Sequence, residues 1–185
     1  MTPRRTGAPT DLLRNPRAPE PGVVSSIAGV NPEQIRVRSA GREDVRALVE
    51  LRAEMFTAMG IDSGAELWQT RAAEWFTQRL EDPAYGIFAV LDETDTVVSC
   101  AVGAIRDAAP SPEVPDGRDV LISNICTVPA VRGQGHGRRA FDAVMDWARS
   151  TGIQRAELMA TEECRKMYER SGFAVTPCPS MRTPL

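Results

Sequence analysis

Apolar positions along the chain change period several times, and each change marks an element. In "QIRVRSA" (34–40) they alternate, with Ile35 and Val37 on one face, which predicts a first strand. In "REDVRALVELRAEMFTAMG" the period becomes helical: Val45, Leu48, Val49, Met55, Phe56 and Met59 recur on one side, and Gly60 stands where a helix would stop. Trp68, Trp75, Phe76 and Leu80 line a second helix, opened by a capping box from Ser63 to Glu66 and closed before Pro83. These aromatics belong to a core or a pocket wall. Alternation returns in 86–91 and 96–105, with 92–95 as the turn of a hairpin. The Pro-rich "APSPEVPDGR" that follows is expected to form a lid over a substrate. "DVLISNICTVP" (119–129) reads as an apolar strand.

A helix over 135–150 comes next, with Ala140, Phe141, Val144, Met145 and Ala148 on one face. "IQRAELMA" (153–160) is a strand, and "EECRKMYERSG" is a short helix ending at Gly172. "FAV" and a last strand near Met181 are expected to complete the sheet. Consecutive strands make an antiparallel meander, and the strand–helix–strand unit adds a parallel pair with a right-handed crossover. The fold class is α+β, a mixed sheet with helices on both faces. Residues 1–33 hold six of the fourteen prolines and no period, so they read as a disordered or loosely attached tail before one domain over 34–185.

Composition narrows the function. A net charge of −3 carries no basic footprint for nucleic acid. No apolar run approaches the ~18 residues of a membrane helix, and the N-terminus lacks the apolar stretch of a secretory signal, so the cytoplasm is the expected location. Cys100, Cys126, Cys164 and Cys178 are too scattered for a zinc site, and one histidine cannot build a cluster, so no metal is expected.

The feature that demands chemistry is "VRGQGHGRRAF" (131–141), with glycines at 133, 135 and 137. Arg138 stands where a dinucleotide fingerprint needs its third glycine, and no Walker string exists. The loop nevertheless runs into a helix N-terminus, where unpaired N–H groups and the helix dipole favour an anion such as pyrophosphate. Arg132, Arg138 and Arg139 add charge. A solvent-exposed glycine turn is the other reading of these residues alone.

Arg132-x-x-Gly135-x-Gly137 after a strand ending "ICTVP" resembles motif A of the GNAT acetyltransferases, and "CRKMYERSGF" (164–173) resembles that family's second signature. The resemblance implies a GNAT-like three-layer α/β/α domain whose mixed, mostly antiparallel sheet splays between strands 4 and 5. It implies an acetyl-CoA-dependent N-acetyltransferase, with the acceptor amine attacking directly in a ternary complex. Backbone groups of Gly133, Gln134, Gly135, His136, Gly137 and Arg138 would cradle the pyrophosphate, and Arg132 would shape or charge the loop. Ile125, Cys126, Thr127 and Val128 would meet the pantetheine arm. Tyr168 aligns with a general acid, the alternative being a packing role. His136 sits at the pyrophosphate end, and a contact to phosphate or solvent fits it better than a general base. Thr161 and Cys164 depart from the asparagine and alanine the family often has there. For the base, Glu54, Asp119, Glu157 and water held by Asn124 stay open. Met55, Phe56 and Met59 are expected to wall the acceptor pocket.

The favoured acceptor is the primary amine of a small molecule, such as an antibiotic, a polyamine or an amino-acid-like compound. A protein lysine or N-terminus is the runner-up, and a non-catalytic acyl-CoA-binding sensor or partner subunit is the reading from another class. A homodimer stays open.

Overall fold

The computed structural model describes residues 35–178 and 180–184. The proposed tail over 1–33 lies outside the described residues.

Five strands form one sheet in the order β1-β2-β3-β4-β5: β1 (Arg36–Ser39), β2 (Tyr85–Leu91), β3 (Val97–Asp107), β4 (Arg118–Thr127) and β5 (Ala156–Leu158). The first four pair antiparallel in sequence order: a tight turn joins β2 to β3 and a loop joins β3 to β4, while the long segment 40–84 lies between β1 and β2. β5 pairs parallel with β4 after the crossover helix α3 (His136–Ser150). α1 (Val45–Ala58) and α2 (Glu66–Arg79) cover one face of the sheet. α3 and α4 (Glu162–Glu169) cover the other. This is the α+β, α/β/α arrangement expected.

Period-two alternation divides the central strands between the two layers. Ala89, Leu91, Cys100 and Val102 pack with Leu48, Leu51 and Phe76 of α1 and α2. Val90, Ala101, Val120 and Ile122 pack with Ala140, Phe141, Val144 and Ala148 of α3. Two glycines let α3 approach closely. Gly86 and Gly103 face each other across β2 and β3. A Cβ would lie 2.3 Å from Trp147 at Gly86 and 2.4 Å from it at Gly103, so the indole rests on bare backbone.

Four expectations are corrected. The capping box is absent: α2 starts behind Ala65, while the Ser63 carbonyl accepts from Trp68 Nε1 (3.1 Å) and Gln69 Nε2 (3.0 Å). The Pro-rich loop joins the end of β3 to the start of β4, where Asp107 pairs with Arg118. The ten residues of β4 separate it by about 30 Å from the glycine loop, so it is no lid over that loop. β5 spans three residues instead of the eight of 153–160. No strand forms at "FAV" or near Met181 among the described residues. Phe173 packs against Phe141 and Tyr168, while Val175 and Met181 are exposed and pair with no strand among the described residues.

Candidate active site

The shortness of β5 and a bulge in β4 have a joint consequence. β5 pairs only with Val120, Leu121 and Ile122. The β3–β4 register then slips, Val102 facing Ser123 while Cys100 faces Cys126, and Asn124 takes the left-handed backbone (φ +52°) that asparagine tolerates better than most residues. Beyond the bulge β4 pairs with no strand on its β5 side among the described residues. The carbonyls of Asn124 and Cys126 are held from the β3 side, by Cys100 Sγ (3.2 Å) and Ser99 Oγ (2.7 Å). The Val128 amide donates to Val98 (2.9 Å). Strand alternation therefore turns the backbone groups of Ile125 and Thr127 toward the gap. An extended, amide-bearing ligand can pair with this edge as a missing strand would. Burial pushes the neighbouring Cys126 thiol up to about 11, so it stays a thiol at neutral pH.

The chain then turns through Pro129–Val131 into the glycine loop. Gly133 (φ +80°) and Gly135 (φ +85°) adopt the left-handed conformation, Gly135 as the residue preceding the first turn of α3. The next hydrogen bond is from the Arg139 amide to the Gly135 carbonyl (3.0 Å). The amides of residues 133–138 have no hydrogen-bond acceptor among the described residues. Six consecutive donors at the positive end of a 15-residue helix are arranged as an anion would require. Gly137 lets the helix start press on β4, since a Cβ there would lie 3.0 Å from Thr127 Oγ1.

The arginines of the loop divide their work. Arg132 Nε donates to the Thr127 carbonyl (3.1 Å) and its Nη2 to Glu54 (2.9 Å), so it ties the end of β4 to α1. Arg138 pairs with Asp142 one turn along α3 (2.8 Å). Gln134 is exposed. His136 is neither a solvent contact nor a surface base. It is 2 % exposed, on the same buried stripe of α3 as Ala140 and Phe141, and its Nδ1 has no partner. Burial, and then the Arg139 charge, lower its pKa.

The four base candidates separate clearly. Asp119 accepts both Nε and Nη2 of Arg106 (2.7 Å each) and also Arg155 (3.2 Å). These bonds hold its carboxyl below the ordinary range, against a general-base role. Glu157 is paired with the same Arg106 (2.9 Å). Both belong to a structural ion cluster near the start of β4. Glu54 and Asn124, by contrast, stand beside the open part of the strand: Glu54 through Arg132, Asn124 as the bulge itself.

Tyr168 is 7 % exposed, among Phe141 (5.4 Å between ring centroids) and Phe173 (6.3 Å). Burial pushes its phenol up to about 12, so it holds its proton throughout the neutral range. Of the three expected wall residues, only Phe56 is partly buried outside the core, meeting Trp68 edge-on (5.5 Å). Met55 packs into the core under α1 and Met59 is 51 % exposed.

Two residues at the site escaped the sequence reading. Ser99 is buried and also meets Thr127 Oγ1 (2.9 Å), bracing the open end of β4. Arg52 is partly buried, donates to Asn124 Oδ1 and lies 4.9 Å over the Phe56 ring. A signal for it existed: Arg52 is four residues from both Leu48 and Phe56, a charge on the apolar stripe.

Residues 45–173 match the family model described as the acetyltransferase (GNAT) family. A Bacillus subtilis protein named uncharacterized N-acetyltransferase YhdJ is 26 % identical over 110 residues, 55 % of this chain and 73 % of that protein. A predicted acetyltransferase of Clostridium acetobutylicum, solved with acetyl-CoA, superposes with a TM-score of 0.72 at 23 % identity, over 80 % of this chain and 96 % of that one. A GCN5-related N-acetyltransferase of Ralstonia eutropha does so at 0.72 and 24 %, over 82 % and 98 %. Among the described residues no group of three or more His, Cys, Asp or Glu could hold a metal, and no helix is long and apolar enough to cross a membrane.

Proposed function

As the chain belongs to the acetyltransferase (GNAT) family and is an N-acetyltransferase, we propose that its donor is acetyl-CoA and its acceptor the primary amine of a small molecule. One observation carries the donor: six unpaired amides, residues 133–138, sit at the head of α3 directly beyond the free edge of β4. The amides suit the pyrophosphate, and the Ile125 backbone with the Thr127 amide suits the pantetheine arm, the Thr127 carbonyl being held by Arg132. A thioester at the end of that arm would stand beside the bulge at Asn124.

The chemistry there needs a proton removed from the amine and one supplied to sulfur. Tyr168, kept protonated by burial, is the group suited to donate to the departing thiolate. Glu54 is the carboxylate placed to draw the amine's proton, directly or through water on Asn124, because Arg132 holds it at the open end of β4 while Asp119 and Glu157 sit with Arg106 near the start of that strand. A small acceptor is favoured because α1 closes over the bulge, with Arg52 on Asn124 and Glu54 on Arg132.

Thiol release from acetyl-CoA across a panel of amines, with products read by mass spectrometry, tests the reading. Transfer to at least one small amine is expected, and no release with any of them overturns it. Tyr168→Phe is expected to lower kcat by about 10²-fold or more while leaving the KM for acetyl-CoA in place, since the ring contacts remain. Unchanged kcat removes Tyr168 from the mechanism.

A further inference from the structure

Arg52 is a charge without a counter-charge. It stands on the face of α1 that packs toward the sheet, between Leu48 and Phe56, and its guanidinium reaches the side-chain oxygen of Asn124 at the bulge. That partner is a neutral amide. No carboxylate of the described residues pairs with it. The acid two residues on, Glu54, is already engaged by Arg132. Burial disfavours the charged form enough to lower the pKa of this arginine, yet the group stays ionised at any physiological pH. Removing a guanidinium from water without a paired anion is costly, and proteins tolerate it where a ligand completes the pair.

The surroundings describe that ligand. Asn124 uses one donor of the planar fork, and the Phe56 ring covers one face of the guanidinium at 4.9 Å. What remains is an edge with parallel N–H groups, the geometry that accepts a carboxylate in bidentate fashion. The charge count agrees. A single guanidinium neutralises a single negative charge, whereas a phosphate dianion would leave an excess in a partly dry niche.

We propose that Arg52 binds a carboxylate on the acceptor, so that the enzyme acetylates amines that also bear an acid group, as amino acids do. The inference rests on the reading above, that an acceptor amine attacks beside the β4 bulge. It makes Arg52 a specificity residue and Phe56 the wall that orients it. The alternative is that Arg52 only pins the bulge through Asn124. That role would serve every acceptor equally, with or without a carboxylate.

Matched acceptors separate the two. Leucine, leucinamide and isopentylamine share a side chain and differ in the acid; lysine and cadaverine form a second pair. With the wild-type protein, kcat/KM is expected to be at least about tenfold higher for the acid-bearing member of a series that is turned over. In Arg52→Met that ratio should collapse toward one, through a raised KM for the acid-bearing acceptor, with its kcat largely kept. Arg52→Lys should fall between the two, keeping the charge and losing the fork. If Arg52→Met does not fold, the wild-type ratio and Arg52→Lys decide the matter. Equal turnover of acid and amide by the wild-type protein, or an equal loss of kcat on every acceptor in the variants, overturns the assignment of Arg52 alone. No thiol release with any amine from folded protein overturns the transfer reading and this inference with it.

Discussion

Replacing Gly135 by alanine probes the cradle with little steric confusion. Its backbone lies at φ +85°, and a Cβ there would meet nothing closer than Arg139 Nη1 at 3.4 Å, the end of a flexible side chain. The perturbation is therefore conformational: an L-residue in the left-handed region costs about 1–2 kcal/mol relative to glycine. That penalty can appear in two places. If the variant keeps the left-handed turn, folding stability falls by the whole amount and affinity for coenzyme A is unchanged. If the loop relaxes when free and is forced back by the ligand, stability is kept and affinity falls by about 5- to 30-fold. Either way the two losses should sum to about 1–2 kcal/mol, because one conformational penalty is shared between them. Urea unfolding gives the first and calorimetric titration with coenzyme A the second. A sum near zero would mean that the turn is not left-handed in the bound state. A loss of affinity beyond about 100-fold with full stability would mean that Gly135 does more than shape the backbone.

Two further outcomes follow from packing and protonation. Gly103→Ala should destabilise the fold by about 1–3 kcal/mol, since its Cβ would lie 2.4 Å from Trp147 and 2.9 Å from Val144; an unchanged urea midpoint would show that α3 can lift off the sheet freely. The single histidine, His136, is held neutral in the fold by burial and by Arg139, against a weaker opposite pull from Asp92, while the unfolded chain protonates it near pH 6.5. Because the folded pKa is the lower one, stability is full above pH 6.5 and falls as the pH drops below it, by up to about 1.4 kcal/mol per unit until the folded pKa is reached. The urea-derived stability of the wild-type protein should decline from pH 7.5 to 5.5, and His136→Gln should flatten the decline; equal slopes would refute the assignment.

Much of this was legible in the chain. The helical stripes of α1 and α3, the 86–105 hairpin and the glycine stops at Gly60 and Gly172 follow from local periodicity and from backbone conformations that glycine adopts most easily. The left-handed glycine turn at the head of α3 was legible too, because a helix start depends on residues adjacent in sequence. Reading failed where a local rule met a distant competitor. Ser63 looked like a cap, but its carbonyl was taken by the Trp68 and Gln69 side chains and α2 began behind Ala65. "FAV" looked like a strand, but the Phe173 ring packs against Phe141 and Tyr168 and Val175 is left exposed.

Sequence by itself thus determined most of the elements, the two-layered cover of the sheet and the glycine turn at the head of α3, all products of neighbours within a few positions. Tertiary structure decided which charged groups are spent and which are free. Asp119, Glu157 and Glu54 are alike as letters, yet Arg106 claims the first two, and Arg132 holds the third at the open end of β4. Arg52 resembles the other arginines of the chain until α1 sets it against Asn124, paired with no carboxylate of the described residues. Ion pairing and desolvation act through space over a few ångströms, between residues that here stand 13 to 78 positions apart, and only the folded chain brings them to that distance.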